Sequence, residues 1–365
     1  MMNNIENKDI RIHTLTPVYI GDGTEFQPVS FYIDDIKSEL CEFDENALLG
    51  KLQEKNKMTE FNSLCQKADI FSLQKLMKLI YDIKPQSFKK VKIAPQIVAN
   101  YKKCLQNTDK NEINNFGIKK TITSPNTHSA YISGSSLKGA LRTGFISNLV
   151  KNGEDFSDKK KAEEFLLGSF EKDVFTTLKT SDFTGNNVQT NIAYAVRERK
   201  KPVANRSNRS VPVMVESINS GSVFNGSLQL RKDMETLISF ENINDILSKT
   251  HDYSKSLLKD SKIGINYPLL PKIDEIQEKF KNKTYLCRLG GYIGAESHTI
   301  DEYREIEIRN PKKPKDIREY ASMALYHSQT KEKTLSDNTT FGWCLLEVLE
   351  NPNDPVVDII PFVKA

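Results

Sequence analysis

The stretch YISGSSLKGALRTGFISNLV, Tyr131 to Val150, constrains the local fold of this chain more than any other. THSAYI, which leads into it, reads as a short strand reaching Gly134. Beyond Ser136 the apolar residues Leu137, Ala140, Leu141, Phe145, Leu149 and Val150 trace one face of a helix. Strand, glycine turn and helix therefore follow directly on one another. A nucleotide-hydrolysing loop needs Lys and then Ser or Thr after its second glycine. Here Ala140 and Leu141 follow Gly139, Lys138 precedes it, and no apolar strand ending in Asp stands downstream. NTPase chemistry is excluded on that ground. What survives is a helix start at which Gly134, Ser135 and Ser136 present backbone amides, with Ser135 or Ser136 as cap: an anion site in outline. Lys138 and Arg142, four apart, project from one face, turned away from the apolar stripe. Gly139, Ala140, Thr143 and Gly144 are small enough to admit a backbone, of protein or of nucleic acid. The same residues equally describe a serine-capped helix packed on a sheet.

A chain of 365 residues has room for two or three cores, and 38% hydrophobic against 27% charged residues excludes global disorder. The net charge of +4 says little, but its distribution says more. Nine lysines stand between Lys84 and Lys120 against Asp109 and Glu112, and VRERKKPVANRSNRS (196–210) carries six cations against Glu198. Concentrated basic patches on a nearly balanced chain fit an anionic polymer. The five cysteines are scattered without a CxxC pair, so neither a disulfide framework nor a zinc site is expected. No metal or other cofactor is expected. The opening residues lack an apolar signal core and no run is long enough to span a membrane, so a cytoplasmic location is expected.

Along the chain, IRIHTLTPVYI (10–20) reads as a strand, GDG at Gly21–Gly23 as a turn, and VSFYID (29–34) as the returning strand. From Ser38 to Gln106 the pattern is helical, with Asp44 as a cap and Leu73, Leu76, Met77 and Ile80 at helical spacing before Pro85. FTTLKTSDF reads as a strand, and residues 191–218 as two strand arms joined by a long basic loop. GSVFNGSLQLR opens a second sheet unit, and NINDILSKTHDYSKSLLK is a helix. YLCRLGGYIGAESHTI runs a strand into a second glycine loop, PKDIREYASMALYH reads as a helix, and FGWCLLEVLE as a closing strand. The two halves thus share a strand, a glycine-rich turn and a helix.

YISGSSLKGALRTGF resembles the glycine–serine–lysine signature of the RAMP superfamily, the backbone proteins of CRISPR effector complexes. HTLTPVYIGDG (13–23) is similar to that family's opening strand and turn, RLGGYIGAESHTI (288–300) to its C-terminal glycine-rich loop, and FGWCLLEVL to its closing strand. One departure is Ser133, where the family usually has proline. Within the superfamily, the combination most resembles the fifth subunit of the type III-A (Csm) complex. The resemblance implies an α+β fold of two tandem ferredoxin-like (RRM-like) modules with a β-hairpin thumb and a helical insertion. The first module is expected at 1–37 and 107–195, the insertion at 38–106, the basic thumb loop at 196–215 and the second module at 216–365. It further implies a non-catalytic subunit that binds CRISPR RNA, caps the backbone filament near the RNA 3′ end and supports guide maturation and antiviral interference. The expected partners are CRISPR RNA and target RNA, neighbouring Csm backbone and small subunits, and host maturation nucleases, with no membrane. The expected RNA-binding residues are Gly21, Gly23, Gly134, Ser135, Ser136, Lys138, Gly139, Arg142, Arg197, Arg199, Lys200, Lys201, Arg206, Arg209, Arg288, Gly290, Gly291 and Gly294. Such groups hold a backbone without reading bases. Tyr19, Tyr194 and Tyr292 either stack on bases or belong to sheet core.

The competing reading is a metal-independent endoribonuclease that processes CRISPR RNA, with His13 as the candidate base. Asp22, Asp34 and Asp35 lie near the place where some backbone relatives carry a cleaving aspartate, but none aligns with it, so that activity is not carried over. A third reading is a protein scaffold docking through the helical segment, and the charge placement argues against it.

Overall fold

The computed structural model describes residues 5–67, 69–106, 113, 116–150, 166–168, 172–201, 211–232, 239–263, 275–276, 278–280, 283–308, 314, 316–330 and 339–356. The fold is α+β, built on two principal sheets. The first is antiparallel, in the order β11 (Thr284–Arg288), β15 (Trp343–Val348), β1 (Ile5–Thr14), β10 (Val223–Arg231), β7 (Leu178–Thr180). β1 is central because its alternation serves both faces. Ile10 and Ile12 point into a core with Phe224, Leu228 and Leu346, while Arg11 and His13 point to the other side and are also buried. Helices α5 (Gly134–Val150) and α6 (Ile243–Lys259) cover the Ile10–Ile12 face through Leu137, Leu141, Phe145, Ile246 and Leu247. They cross so closely that a Cβ on Gly144 would stand 2.8 Å from Thr250 Cα, so only glycine fits there. β11 is an edge strand, and its Leu286 amide is satisfied from outside the ladder by His251 Nδ1 at 2.8 Å.

The second sheet runs β2 (Gly21–Glu25), β6 (Ile118–Thr121), β9 (Val213–Ile218), β8 (Thr190–Arg199), β5 (Lys89–Ile93), β4 (Glu39–Glu42), β3 (Phe31–Asp34). It curls strongly. Lys120 of β6 and Glu42 of β4 are separated by three strands in sheet order, yet their charged atoms lie 2.6 Å apart. The concave side is filled by Phe26, Phe31, Leu40, Val91, Ile192, Tyr194 and Met214, and closed by Tyr101 and Ile97 of α4 (Pro95–Gln106). Helices α1 (Glu45–Glu54), α2 (Met58–Lys67) and α3 (Ile70–Ile83) pack outside the β3–β4 hairpin on Tyr32, Cys41 and Phe43. Asp44 and Asp69 cap α1 and α3. Among the described residues no helix is long and apolar enough to cross a membrane.

Four expectations are corrected. Residues 29–34 do not return against the first strand: β1 pairs with β10 and β15, whereas β3 pairs with β4. Gly21–Gly23 begin an exposed strand rather than a turn. The segment 38–106 holds two strands of the curled sheet, β4 and β5, besides its helices. PKDIREYASMALYH is not helical: it contributes β13 (Asp316–Arg318), paired with β12 (Ile306–Ile308), and β14 (Met323–Ser328). β14 pairs with the distal half of β8, Met323 opposite Arg199 through Ser328 opposite Tyr194. The pairing edge that the long strand β8 offers there outweighs the helix-forming composition.

Candidate nucleic-acid interface

The expected grip at the start of α5 is mostly taken up by the protein itself. The helix begins at Gly134, which makes Ser133 the cap, not Ser135 or Ser136: Ser133 Oγ accepts from Ser136 N at 3.3 Å. Gly134 N–H donates to Asp182 Oδ1 at 2.8 Å, so a carboxylate of this chain holds the position an anion was expected to take. A Cβ on Gly134 would meet the carbonyl oxygens of Thr180 at 2.5 Å and Ser181 at 2.6 Å. The glycine is there for the edge strand β7. Lys138 Nζ donates to Leu178 O at 2.8 Å, and burial with the nearby Lys179 charge lowers its pKa. Arg142 is bonded to Asp173 at 2.5 Å and lies over the Phe175 ring. Ser135 and Gly139 are exposed, and the space beyond Gly139 is open.

The second glycine loop is a joint between the two sheets. Gly290 (φ +94°) lies against Tyr19 O, where a Cβ would come within 2.5 Å, and Gly291 N donates to that same carbonyl at 2.7 Å. Gly294 also has a left-handed φ, +87°. Gly342 N donates to Pro17 O and accepts, through its carbonyl, from Leu289 N. Arg288 is only 5% exposed: Nε donates to Phe341 O at 3.1 Å, Nη1 to Ser297 Oγ at 3.0 Å, and the guanidinium lies 4.8 Å from the Trp343 ring centre. Tyr19, Tyr292 and Phe341 stack across the joint onto Ala195 and Val215 of the second sheet. Burial, with Tyr292 next, raises Tyr19 to about 12. Tyr194 is buried and receives a hydrogen bond from Asn100. Tyr19 and Tyr194 are core, while Tyr292 is half-buried and packs against Tyr19 and Phe341. Gly21 and Gly23 lie on the exposed strand β2, with open space at Gly23.

The β8–β9 arm differs. Arg197 and Lys201 are exposed, Arg199 is half-buried, and Arg206 and Arg209 lie outside the described residues. Lys200 anchors the root: its Nζ lies 2.6 Å from Glu296 Oε1, a carboxylate that also accepts from Ala321 N at 2.8 Å. Glu296 is 1% exposed. Nothing in the sequence singled out Glu296, Asp182 or Asp173, because each acts by tertiary contact rather than by motif.

His13 is fully buried, with Nε2 2.7 Å from Glu347 Oε2 and its ring edge-on to Phe280. It braces the first sheet and has no route to a ribose. His327, also buried, is pushed down to about 4 by burial, and His298 is lowered by burial and then by Arg288.

The profile of the RAMP superfamily matches residues 11–326. A protein described as "CRISPR system Cms protein Csm5" from Methanocaldococcus jannaschii is 25% identical over 264 residues, 67% of this chain and 56% of that protein. The chain thus spans little more than half the length of that relative. A chain of a type III-A Csm–crRNA–target RNA ternary complex, solved by cryo-EM, matches with a TM-score of 0.63 and 14% identity, covering 94% of this chain and 100% of that one. Csm5 of T. onnurineus, a crystal structure, matches with a TM-score of 0.49 and 16% identity, over 77% of this chain and 89% of that one.

Proposed function

The chain belongs to the RAMP superfamily, and from that premise we propose that it is a non-catalytic, CRISPR RNA-binding subunit of a type III-A (Csm) effector complex. In this reading it caps the backbone filament near the RNA 3′ end, supports guide maturation, and meets target RNA, neighbouring Csm subunits and maturation nucleases as partners. The two ferredoxin-like modules of this reading, 1–37 with 107–195 and 216–365, exchange strands, since β1 lies in the sheet of β10, β11 and β15 and β14 in that of β8. The observation that carries the reading is the arm: exposed Arg197 and Lys201 beside a root fixed by the buried Lys200–Glu296 pair. Cations so placed offer charge to a phosphate chain and no base-reading edge, which suits a protein that must hold any guide sequence. The exposed Ser135–Gly139 side of α5 is the part of the signature open to a backbone. The endoribonuclease alternative loses its candidate base with the burial of His13.

The test is a titration of the full chain with labelled single-stranded RNA across salt concentrations. Affinity is expected to fall log-linearly, by about 0.7 in slope for each phosphate neutralised. An affinity flat in salt would overturn the reading in favour of a pure scaffold. Site-selective cuts in the same RNA, made without divalent ions, would overturn its non-catalytic part.

A further inference from the structure

The lysine-rich stretch between Lys84 and Lys120 takes no part in the arm or in α5. The curl of the second sheet gathers its two ends: Lys89 of β5 and Lys120 of β6 both approach one ring, Phe26, at 5.5 and 4.8 Å from its centre. Each is neutralised, Lys89 by Glu216 at 2.7 Å and Lys120 by Glu42 at 2.6 Å. These two lysines therefore add little net attraction for phosphate. Phe88 is 44% exposed, the more open of two phenylalanines exposed to solvent among the described residues. Its amide is tied to Glu42 O, and its ring lies 4.4 Å from that of His128, tilted by 36°. His128 is itself exposed, in a left-handed backbone (φ +53°), at the end of a short loop closed by Ser124 and Ser129. A strained, exposed histidine thus lies against an exposed phenylalanine, both held from the backbone.

We infer that the Phe88–His128 pair is a stacking platform for an unpaired base of single-stranded RNA, a second binding element independent of the arm. The inference rests on the RNA-binding reading above and adds to it. A single pair of exposed rings is too small for an apolar protein interface. It matches the aromatic platforms on which single-stranded nucleic acids rest their bases irrespective of sequence. Because stacking engages the face of a base and no charge, its contribution depends on the base and hardly on salt, the reverse of the arm.

The experiment compares the full chain binding a single-stranded oligoribonucleotide and an abasic ribose-phosphate oligomer of equal length. Phe88→Ala is expected to weaken the oligoribonucleotide about tenfold while leaving the abasic oligomer and the salt slope unchanged. Phe88→Tyr and His128→Phe are expected to retain wild-type binding. Melting temperature should not move, since the ring is exposed. If the wild type binds RNA with a steep salt dependence and Phe88→Ala binds equally well, the platform is wrong and the RNA-binding reading stands. Equal weakening of both oligomers, or loss only of assembly with other proteins, also overturns it. A wild-type chain that binds neither oligomer overturns both.

Discussion

The start of α5 and the root of the β8–β9 arm present the same side-chain chemistry and use it in opposite directions. At α5, Lys138 and Arg142 end on Leu178 O and Asp173. At the arm, Lys200 turns inward to Glu296 while Arg197 and Lys201 stay exposed. The difference lies in what each element runs beside. α5 passes along β7, an edge strand whose outer carbonyls have no ladder partner, and a lysine within reach satisfies one of them. β8 is flanked by β9 only as far as Ala195; beyond it the strand runs along β14, Tyr194 opposite Ser328 through Arg199 opposite Met323, so that edge is already paired and Arg197 is left to solvent. A cation is available to a ligand where the strand edge beside it is already paired.

That contrast is broken most forcefully at the arm root. Glu296→Ala removes the carboxylate that accepts from Lys200 Nζ and Ala321 N, and leaves an ammonium only 13% exposed with the Lys262 carbonyl but no counter-charge. The expected loss is about 3–5 kcal/mol, read from urea unfolding, with a smaller loss for Glu296→Gln, which keeps an acceptor. A nearly equal effect is expected from pH on the strand that buttresses the arm. His327 of β14 is held down to about 4 by burial, against about 6.5 in the unfolded chain. The unfolded state therefore takes up the proton first as pH falls. Stability is complete above about 6.5 and declines toward 4, by about 3 kcal/mol in all. His327→Leu should flatten that slope in the unfolding free energy, and an unchanged slope would assign the acid loss to other groups.

These sites show what the sequence can and cannot reveal. β1, β8, β9, β10, β11, β15 and α6 are legible because β-branched runs, turn glycines and helical spacing are local signals. β14 is not, since YASMALYHS becomes a strand only where the long β8 supplies an edge to pair with. The glycines at 134, 290 and 291 are recognisable as places of close approach, but not the identity of the protein groups that approach them: Thr180 O in one case and Tyr19 O in the other. Arg288 reads as a loop cation and is a buried brace, because its partners Phe341 and Ser297 come from separate segments. Exposure is a property of the assembled sheets, and a motif cannot carry it.

The two regions are separated most sharply by paired substitutions. Lys138→Ala with Arg142→Ala removes a hydrogen bond to an edge carbonyl and a half-exposed ion pair. The expected cost is about 1–2 kcal/mol of stability, seen as a lower melting temperature, with RNA affinity changed less than about threefold, under 1 kcal/mol. Arg197→Ala with Lys201→Ala should do the reverse. Neither residue supports the fold, so unfolding free energy should stay within about 0.5 kcal/mol of wild type. The slope of log affinity against log salt should fall by about 1.4, two phosphate contacts at about 0.7 each. If instead the α5 pair lowers the salt slope and the arm pair leaves it intact, then RNA displaces Leu178 O and Asp173 from the helix on binding. The edge strand β7 would then give up the hydrogen bond of Leu178 O, and the turn before it the ion pair of Asp173, to a stronger anion.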